Sequence, residues 1–120
     1  MNCSLDLAGE TSAVSALAAL AQTSRLRVFR LLVGAGPGGL CPGQIAEALG
    51  VSANLLSFHL KELQACSLIT QEREGHFLRY RADMNAMTQL MEFMAAHCCK
   101  GEPCVAIPMV RCSALTSWKN

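Results

Sequence analysis

Three of the seven cysteines in this 120-residue chain lie within ten positions, in the stretch AAHCCKGEPC at residues 95–104. Cys98 and Cys99 are adjacent, and Cys104 follows after the four residues KGEP. Thiols this close together can form a disulfide, ligate zinc or hold a softer ion that prefers sulfur. Which of these they do depends on whether the three sulfur atoms can converge.

A disulfide is the least favoured of the three. The number of cysteines is odd, and the N-terminal sequence MNCSLDLAGE has two acidic residues and none of the basic residues that begin a secretory signal. No apolar run reaches the roughly 18 residues that a membrane span needs. We therefore expect a cytoplasmic protein with no membrane partner, in a compartment where thiols stay reduced.

Convergence of the three thiols requires the helix that precedes them to end. Neighbouring helical side chains diverge by about 100°, so Cys98 and Cys99 cannot both face one ion on a regular helix. Gly101 and Pro103 are residue types that end helices, and the KGEP loop can then bring Cys104 back. Three thiolates suit pyramidal As(III) or Sb(III), whereas zinc prefers a fourth ligand such as His97 or Cys112.

The rest of the chain indicates a binding protein. Residues 24–81 hold seven basic and four acidic side chains, a net charge of +3, whereas residues 1–23 carry −2. The middle of the chain is therefore the candidate surface for a polyanion. No Ser-His-Asp set, Gly-rich phosphate loop or pair of carboxylates suggests an enzyme.

Two helices with small or soft apolar residues are predicted near the ends of the chain. TSAVSALAALAQ predicts a helix over residues 11–21, and MNAMTQLMEFMAAHCC predicts the last helix, with methionines recurring every three or four positions at Met84, Met87, Met91 and Met94. We expect the two to form a homodimer surface. Between them, TSRLRVFRLLVGAG predicts a helix with Ser24 as its candidate N-cap, ended by the Gly-Pro-Gly-Gly run at 36–39.

The segment PGQIAEALGVSANLLSFHLKELQACSLI predicts a helix-turn-helix. Its two helical patterns meet at Gly50, and Ala46 is the small residue four positions earlier where the helices touch. Ser52 caps the second helix. The expected inward-facing residues are Ile45, Ala46, Leu49, Leu55, Leu56, Leu60 and Leu63.

The next segment, LITQEREGHFLRYR, predicts a hairpin with its turn at Glu74-Gly75. A two-stranded ribbon directly after a helix-turn-helix is a wing. The expected fold is thus mostly α (α+β), a winged helix-turn-helix of about five helices and two strands, dimeric through its first and last helices. We divide the chain into an N-terminal tail (1–10), a DNA-binding and dimerisation domain (11–97) and a C-terminal metalloid-binding loop and tail (98–120).

Four stretches, RLRVFRLLV, QIAEALGVS, SFHLKELQ and REGHFLRYR, together resemble the ArsR/SmtB family of winged-helix metal-sensing repressors over roughly residues 14–97. The resemblance implies a homodimer that binds palindromic operator DNA and leaves it when an inducer binds. It also implies which residues contact DNA. On the second helix of the helix-turn-helix these are Ser52, Asn54, Ser57, His59 and Lys61, and on the wing they are Arg73, His76 and Arg79.

Two departures from the family determine where the inducer should bind. The Cys-Val-Cys motif of many members is replaced by GLCPGQI, which keeps Cys41 but has Gly43 at the second position, and the last helix lacks the usual Asp and His zinc ligands. Members that sense arsenite often use C-terminal vicinal cysteines and a third cysteine. The resemblance therefore assigns As(III) or Sb(III) to Cys98, Cys99 and Cys104. Zinc, cadmium or another soft metal, or thiol oxidation, is the alternative signal.

Overall fold

The computed structural model describes residues 7–96, with side chains from Gly9 onward. It contains five helices and one two-stranded sheet within that range, as the sequence predicts. The elements in chain order are α1 (Leu7–Leu20), α2 (Thr23–Ala35), a short 3-10 turn (Gly36–Gly38), α3 (Pro42–Leu49), α4 (Ala53–Ala65), β1 (Ile69–Glu74), β2 (Phe77–Ala82) and α5 (Met84–Ala95).

One apolar core joins the helices to the base of the wing. α1 contributes the small buried side chains of Ala16 and Ala19, and Leu20 of the same helix packs against the core. The larger buried side chains come from α2, α3, α4, the turn after α4 and the two strands, and each removes apolar surface from water. They are Val28, Phe29, Leu32, Ile45, Leu56, Leu60, Leu63, Leu68, Ile69 and Tyr80.

The turn between α3 and α4 confirms the helix-turn-helix prediction. Gly50 ends α3 in the left-handed region (φ 66°), and its N–H donates to the carbonyl of Ala46 at 2.8 Å. Ser52 caps α4, since its Oγ accepts a hydrogen bond from the N–H of Leu55 at 3.2 Å. The prediction that Leu55 faces inward is wrong, because its side chain is 47% exposed.

The wing is a regular antiparallel ribbon. Its register runs from Ile69 opposite Ala82 to Glu74 opposite Phe77. The loop is therefore Gly75-His76, one residue later than predicted, because Glu74 still pairs within β1. Gly75 has a φ of 63°, and glycine is favoured at such positions of two-residue hairpin loops.

Gly39 joins the wing to the helices. Leu40 and Tyr80 exchange two backbone hydrogen bonds, of 2.9 and 2.8 Å, which place β2 beside the chain that leaves the 3-10 turn. Gly39 has a φ of 65°, and a Cβ at this position would lie 2.5 Å from the carbonyl oxygen of Tyr80. Only glycine combines this φ with such close contact to β2.

Three helix ends differ from the predictions. α1 begins at Leu7, four residues before the expected start. α2 is capped by Gln22 instead of Ser24, because the Gln22 Oε1 accepts from the N–H of Arg25 at 2.8 Å. α5 ends at Ala95, since Ala96 has a ψ of 136°. The sequence instead predicts that this helix continues through Cys98 and Cys99. No helix within 7–96 is long and apolar enough to cross a membrane.

Candidate nucleic-acid interface

The outer face of α4 carries three of the eight predicted DNA contacts. Asn54, Ser57 and Lys61 follow one another at spacings of three and four, so they lie on one side of the helix, and all three are exposed. Ser52 is also exposed at the N-terminus of α4, where its hydroxyl is engaged in the cap. The structure therefore brings an amide, a hydroxyl and an ammonium group together on the outer face of a helix whose inner face packs in the core.

His59 does not share this face. Its side chain is only 3% exposed, and neither ring nitrogen has a hydrogen-bond partner among the described residues. Burial lowers the pKa of His59, and the positive charge of Arg25 lowers it further. The expectation that His59 contacts a base or a phosphate is corrected accordingly. The sequence contains the signal, because His59 follows Leu56 by three residues and precedes Leu63 by four, which places it on the buried stripe.

Two large apolar side chains accompany the polar ones on α4. Phe58 is 52% exposed and Leu55 is 47% exposed. Leu55 was expected in the core, and no role was predicted for Phe58. Assigning the stripe to Leu56, His59, Leu60 and Leu63 leaves both residues outside it, so the helical period alone could have placed them at the surface.

The predicted cations of the wing fall into two groups. Arg73 and His76 are exposed, Arg73 on β1 and His76 at the tip of the hairpin. Arg79 is instead engaged within the protomer: its Nε donates to Glu74 Oε1 at 3.0 Å and its Nη1 to the carbonyl of Gly38 at 2.8 Å. The hydrogen bond with Glu74 raises the pKa of Arg79. Arg79 therefore braces the wing against the helical body, and its contact with DNA stays a prediction.

Arg81, which the sequence analysis did not single out, acts in the same way. Its Nε donates to the carbonyl of Pro37 at 2.6 Å and its Nη1 to Glu72 Oε1 at 2.6 Å. Arg79 and Arg81 therefore hold successive carbonyls of the 3-10 turn from the same face of β2. Since side chains alternate across a strand, this i, i+2 spacing is the sequence signal for their shared direction.

A second exposed surface is apolar and lies on α1 and α5. Val14 and Leu17 on α1 are exposed, as are Met84 and Met94 on α5. A groove of about 730 Å³ runs between the two helices, and the Cys66–Leu68 corner contributes to its wall. Exposed apolar area of this kind is typical of a surface that another protein covers.

The inducer site predicted at Cys98, Cys99 and Cys104 lies outside the described residues, as do Gly101 and Pro103. Within the described part, Cys41 and Cys66 are free thiols, and no three His, Cys, Asp or Glu side chains there are grouped as metal ligands. The Cys66 Sγ donates to the carbonyl of Ser15 at 3.4 Å.

Known proteins are similar to this chain in both sequence and architecture. A model described as a helix-turn-helix domain matches residues 20–72. The HTH-type transcriptional regulator CmtR of Mycobacterium tuberculosis is 36% identical over 93 residues, which cover 73% of this chain and 75% of that protein. The transcriptional repressor SdpR of Bacillus subtilis is 27% identical over 84 residues, 70% of this chain and 90% of that protein.

Solved structures give the same result. An ArsR-like transcriptional regulator from Rhodococcus sp. RHA1 superposes with a TM-score of 0.64 at 27% identity, covering 71% of this chain and 77% of that one. The homodimeric winged helix-turn-helix DNA-binding domain of Mb0332 from Mycobacterium bovis gives a TM-score of 0.61 at 26% identity, covering 76% and 84%.

The fold and the α4 surface define the class of a winged helix-turn-helix transcriptional regulator. Within that class, the chain belongs to the ArsR family, as the four sequence stretches suggested.

Proposed function

We propose that this protein is a homodimeric repressor that binds palindromic operator DNA and is released when As(III) or Sb(III) binds Cys98, Cys99 and Cys104. The observation that carries the DNA-binding part is the outer face of α4, where Asn54 and Lys61 project from a helix fixed by the Gly50 turn.

The chemistry of this face suits the major groove of DNA. The groove is about 12 Å wide and admits an α-helix, and an asparagine amide can pair with the N6 and N7 atoms of adenine. Lys61 neutralises a phosphate, and Arg73 and His76 extend the contact from the wing. The seven basic residues in 24–81 give this part of the chain its positive balance.

The apolar surface of α1 and α5 supports the homodimer. A partner subunit would cover Val14, Leu17, Met84 and Met94, which water otherwise surrounds. The related Mb0332 domain is homodimeric. Two copies of α4 related by a two-fold axis would enter successive major grooves about 34 Å apart, which requires a palindromic operator.

The inducer acts through α5 in this proposal. α5 carries part of the apolar dimer surface and ends at Ala95, three residues before the first of the paired thiols. Three thiolates that close on one As(III) or Sb(III) ion shift the end of α5, and with it the relative position of the two subunits. A coupling of about 1–3 kcal/mol between inducer and DNA changes operator affinity by roughly 5- to 150-fold.

Release of operator DNA by candidate inducers tests the whole proposal. The full chain, bound to a fluorescent operator duplex at fixed ionic strength, is titrated with arsenite, antimonite, zinc and cadmium, and separately with peroxide. The titration is repeated with Cys98→Ser, Cys99→Ser and Cys104→Ser, and with Cys66→Ser as the matched thiol control. We expect arsenite or antimonite to release the wild-type protein and the Cys66→Ser variant from the operator. The Cys98→Ser, Cys99→Ser and Cys104→Ser variants should stay bound.

Each failure has a distinct meaning. Absence of operator binding would refute the repressor function itself. Unchanged arsenite release from Cys98→Ser, Cys99→Ser and Cys104→Ser would refute the thiol site. Release by zinc, cadmium or peroxide, but not by As(III) or Sb(III), would refute the inducer while leaving the DNA-binding function intact.

A further inference from the structure

Phe58 is the most exposed large apolar residue on α4. Half of its side chain meets water, and Leu55, three positions earlier, is exposed to a similar extent. On its inner side the ring of Phe58 meets the buried His59, with the two ring centroids 5.8 Å apart at an interplanar angle of 58°. The exposed half of the ring therefore has no packing role within the described protomer.

The position of Phe58 ties it to the polar face of the helix. At 100° per residue, Phe58 lies about 40° around α4 from Asn54 and about 60° from Lys61. It is not among the residues that line the groove between α1 and α5. The aromatic side chain thus borders the amide and the ammonium group on the outer side of α4.

We propose that Phe58 reads DNA sequence by contacting the 5-methyl group of a thymine in the major groove, beside the adenine bound by Asn54. This inference rests on the proposed DNA-binding function and adds a specificity-determining residue to it. Thymine is the base that presents a methyl group in the major groove, and apolar side chains including phenylalanine contact it there. Asn54 and Phe58 are about 6 Å apart along the helix axis, so the two bases lie within one or two base-pair steps of about 3.4 Å.

The neighbouring polar groups favour DNA over a protein as the occupant of this surface. A flat protein contact over Phe58 would also cover Asn54 and Lys61, which have no hydrogen-bond partner within the described residues. Burying an unpaired ammonium or amide group is unfavourable. The major groove offers acceptors to both groups while its thymine methyl groups meet the ring, so one ligand satisfies the whole patch.

Replacing thymine by deoxyuridine tests this contact, because it removes the methyl group and keeps the base pair. An operator is first obtained by selecting duplexes that wild type binds from a randomised pool. Each thymine in both half-sites is then changed to deoxyuridine, and the dissociation constants of wild type, Phe58→Ala and Phe58→Leu are measured by anisotropy. Phe77→Ala is the matched control, since Phe77 is an exposed phenylalanine on the wing.

We expect one thymine position in each half-site to be sensitive. Loss of its methyl group should weaken wild-type binding about fourfold per half-site, and on the order of tenfold for both, from the ordinary gain on burying a methyl-sized group. Phe58→Ala should bind the thymine and deoxyuridine operators with the same affinity, which should be weaker than that of wild type. Phe58→Leu should keep part of the preference for thymine, and Phe77→Ala should keep all of it.

Three results would overturn the assignment. Wild type that binds thymine and deoxyuridine operators equally has no methyl contact. If wild type and Phe58→Ala lose the same affinity when thymine is replaced by deoxyuridine, another residue makes the methyl contact. A change in the molecular mass of Phe58→Ala in sedimentation means that Phe58 covers a protein interface. Failure to select any operator would instead refute the proposed function, so the two failures can be told apart.

Discussion

The second helix of the helix-turn-helix and the wing are adjacent in sequence, but they use their polar side chains differently. On α4, Asn54 and Lys61 project away from the core, whereas on β2, Arg79 and Arg81 bind carbonyl oxygens of the 3-10 turn. An arginine on a wing is therefore not by itself evidence of a DNA contact. α4 thus presents its polar side chains outward, as the proposed reading surface requires, whereas β2 uses its arginines to fix the wing to the 3-10 turn.

The largest expected effect is at Gly39, where β2 of the wing meets the 3-10 turn. It tests whether the wing is fixed there. Gly39→Ala adds a Cβ 2.5 Å from the Tyr80 carbonyl at a φ of 65°. We expect it to lower the free energy of unfolding by roughly 2–4 kcal/mol, through steric overlap and left-handed strain. Urea denaturation measures this loss.

Gly38→Ala is the matched control, because a Cβ there meets nothing within 4 Å. We expect its effect to be several-fold smaller. Equal losses for the two variants would mean that Gly39 is not held against β2 as described.

The next effect concerns the inner face of α4 and depends on pH. Because burial and Arg25 lower the pKa of His59, the unfolded chain takes up protons at this residue before the folded chain does. Stability should therefore be fully present above the unfolded value of about 6.5 and be lost as the pH falls through the lower folded pKa.

His59→Leu tests that account by removing two buried ring nitrogens that lack partners among the described residues. We expect it to stabilise the protein at acidic pH by about 1 kcal/mol, the usual scale for an unsatisfied buried polar group, and to flatten the pH dependence between 5 and 7. Thermal unfolding at several pH values measures this. His76→Leu, at the exposed tip of the hairpin, should leave the slope unchanged; the same flattening there would contradict the assignment to His59.

The smallest effect separates the two kinds of arginine on the wing. Arg73→Ala should weaken DNA binding in a sequence-independent way and reduce the slope of log affinity against log salt by about two for the dimer, because one phosphate per subunit is no longer neutralised. Arg79→Ala should leave that slope unchanged and lower stability slightly, because an exposed ion pair contributes only about 0.2–1 kcal/mol. Affinity measured at four salt concentrations distinguishes them, and a reduced slope for Arg79→Ala would contradict its role as a brace.

Much of the fold follows from local sequence signals. Gly50 and Ser52 specify the turn before α4 because one supplies the left-handed φ and the other the capping oxygen, and both were predicted. The helical period that places Leu56, Leu60 and Leu63 in the core also places His59 there, whereas the family resemblance suggested a DNA contact. The same period leaves Leu55 outside the buried stripe, so the sequence also contains the signal that Leu55 is exposed.

The pairing of Arg79 and Arg81 could not be predicted from the sequence. It depends on where β2 passes the 3-10 turn, about 40 residues earlier in the chain, and that contact is set by the packing of the whole domain around Gly39. The inducer site at Cys98, Cys99 and Cys104 lies beyond the described residues and stays a prediction from the sequence.

The most direct test of the central claim compares sequence discrimination by α4 and by the wing. The dissociation constants of wild type, Asn54→Ala and Arg81→Ala are measured for the selected operator and for a scrambled duplex at one salt concentration. We predict that Asn54→Ala lowers the ratio of specific to non-specific affinity by roughly 10- to 100-fold for each half-site, the range expected when one bidentate hydrogen-bonded pair with a base is removed, while Arg81→Ala leaves the ratio near its wild-type value. An unchanged ratio for Asn54→Ala, or a loss confined to Arg81→Ala, would contradict the assignment of α4 as the reading surface.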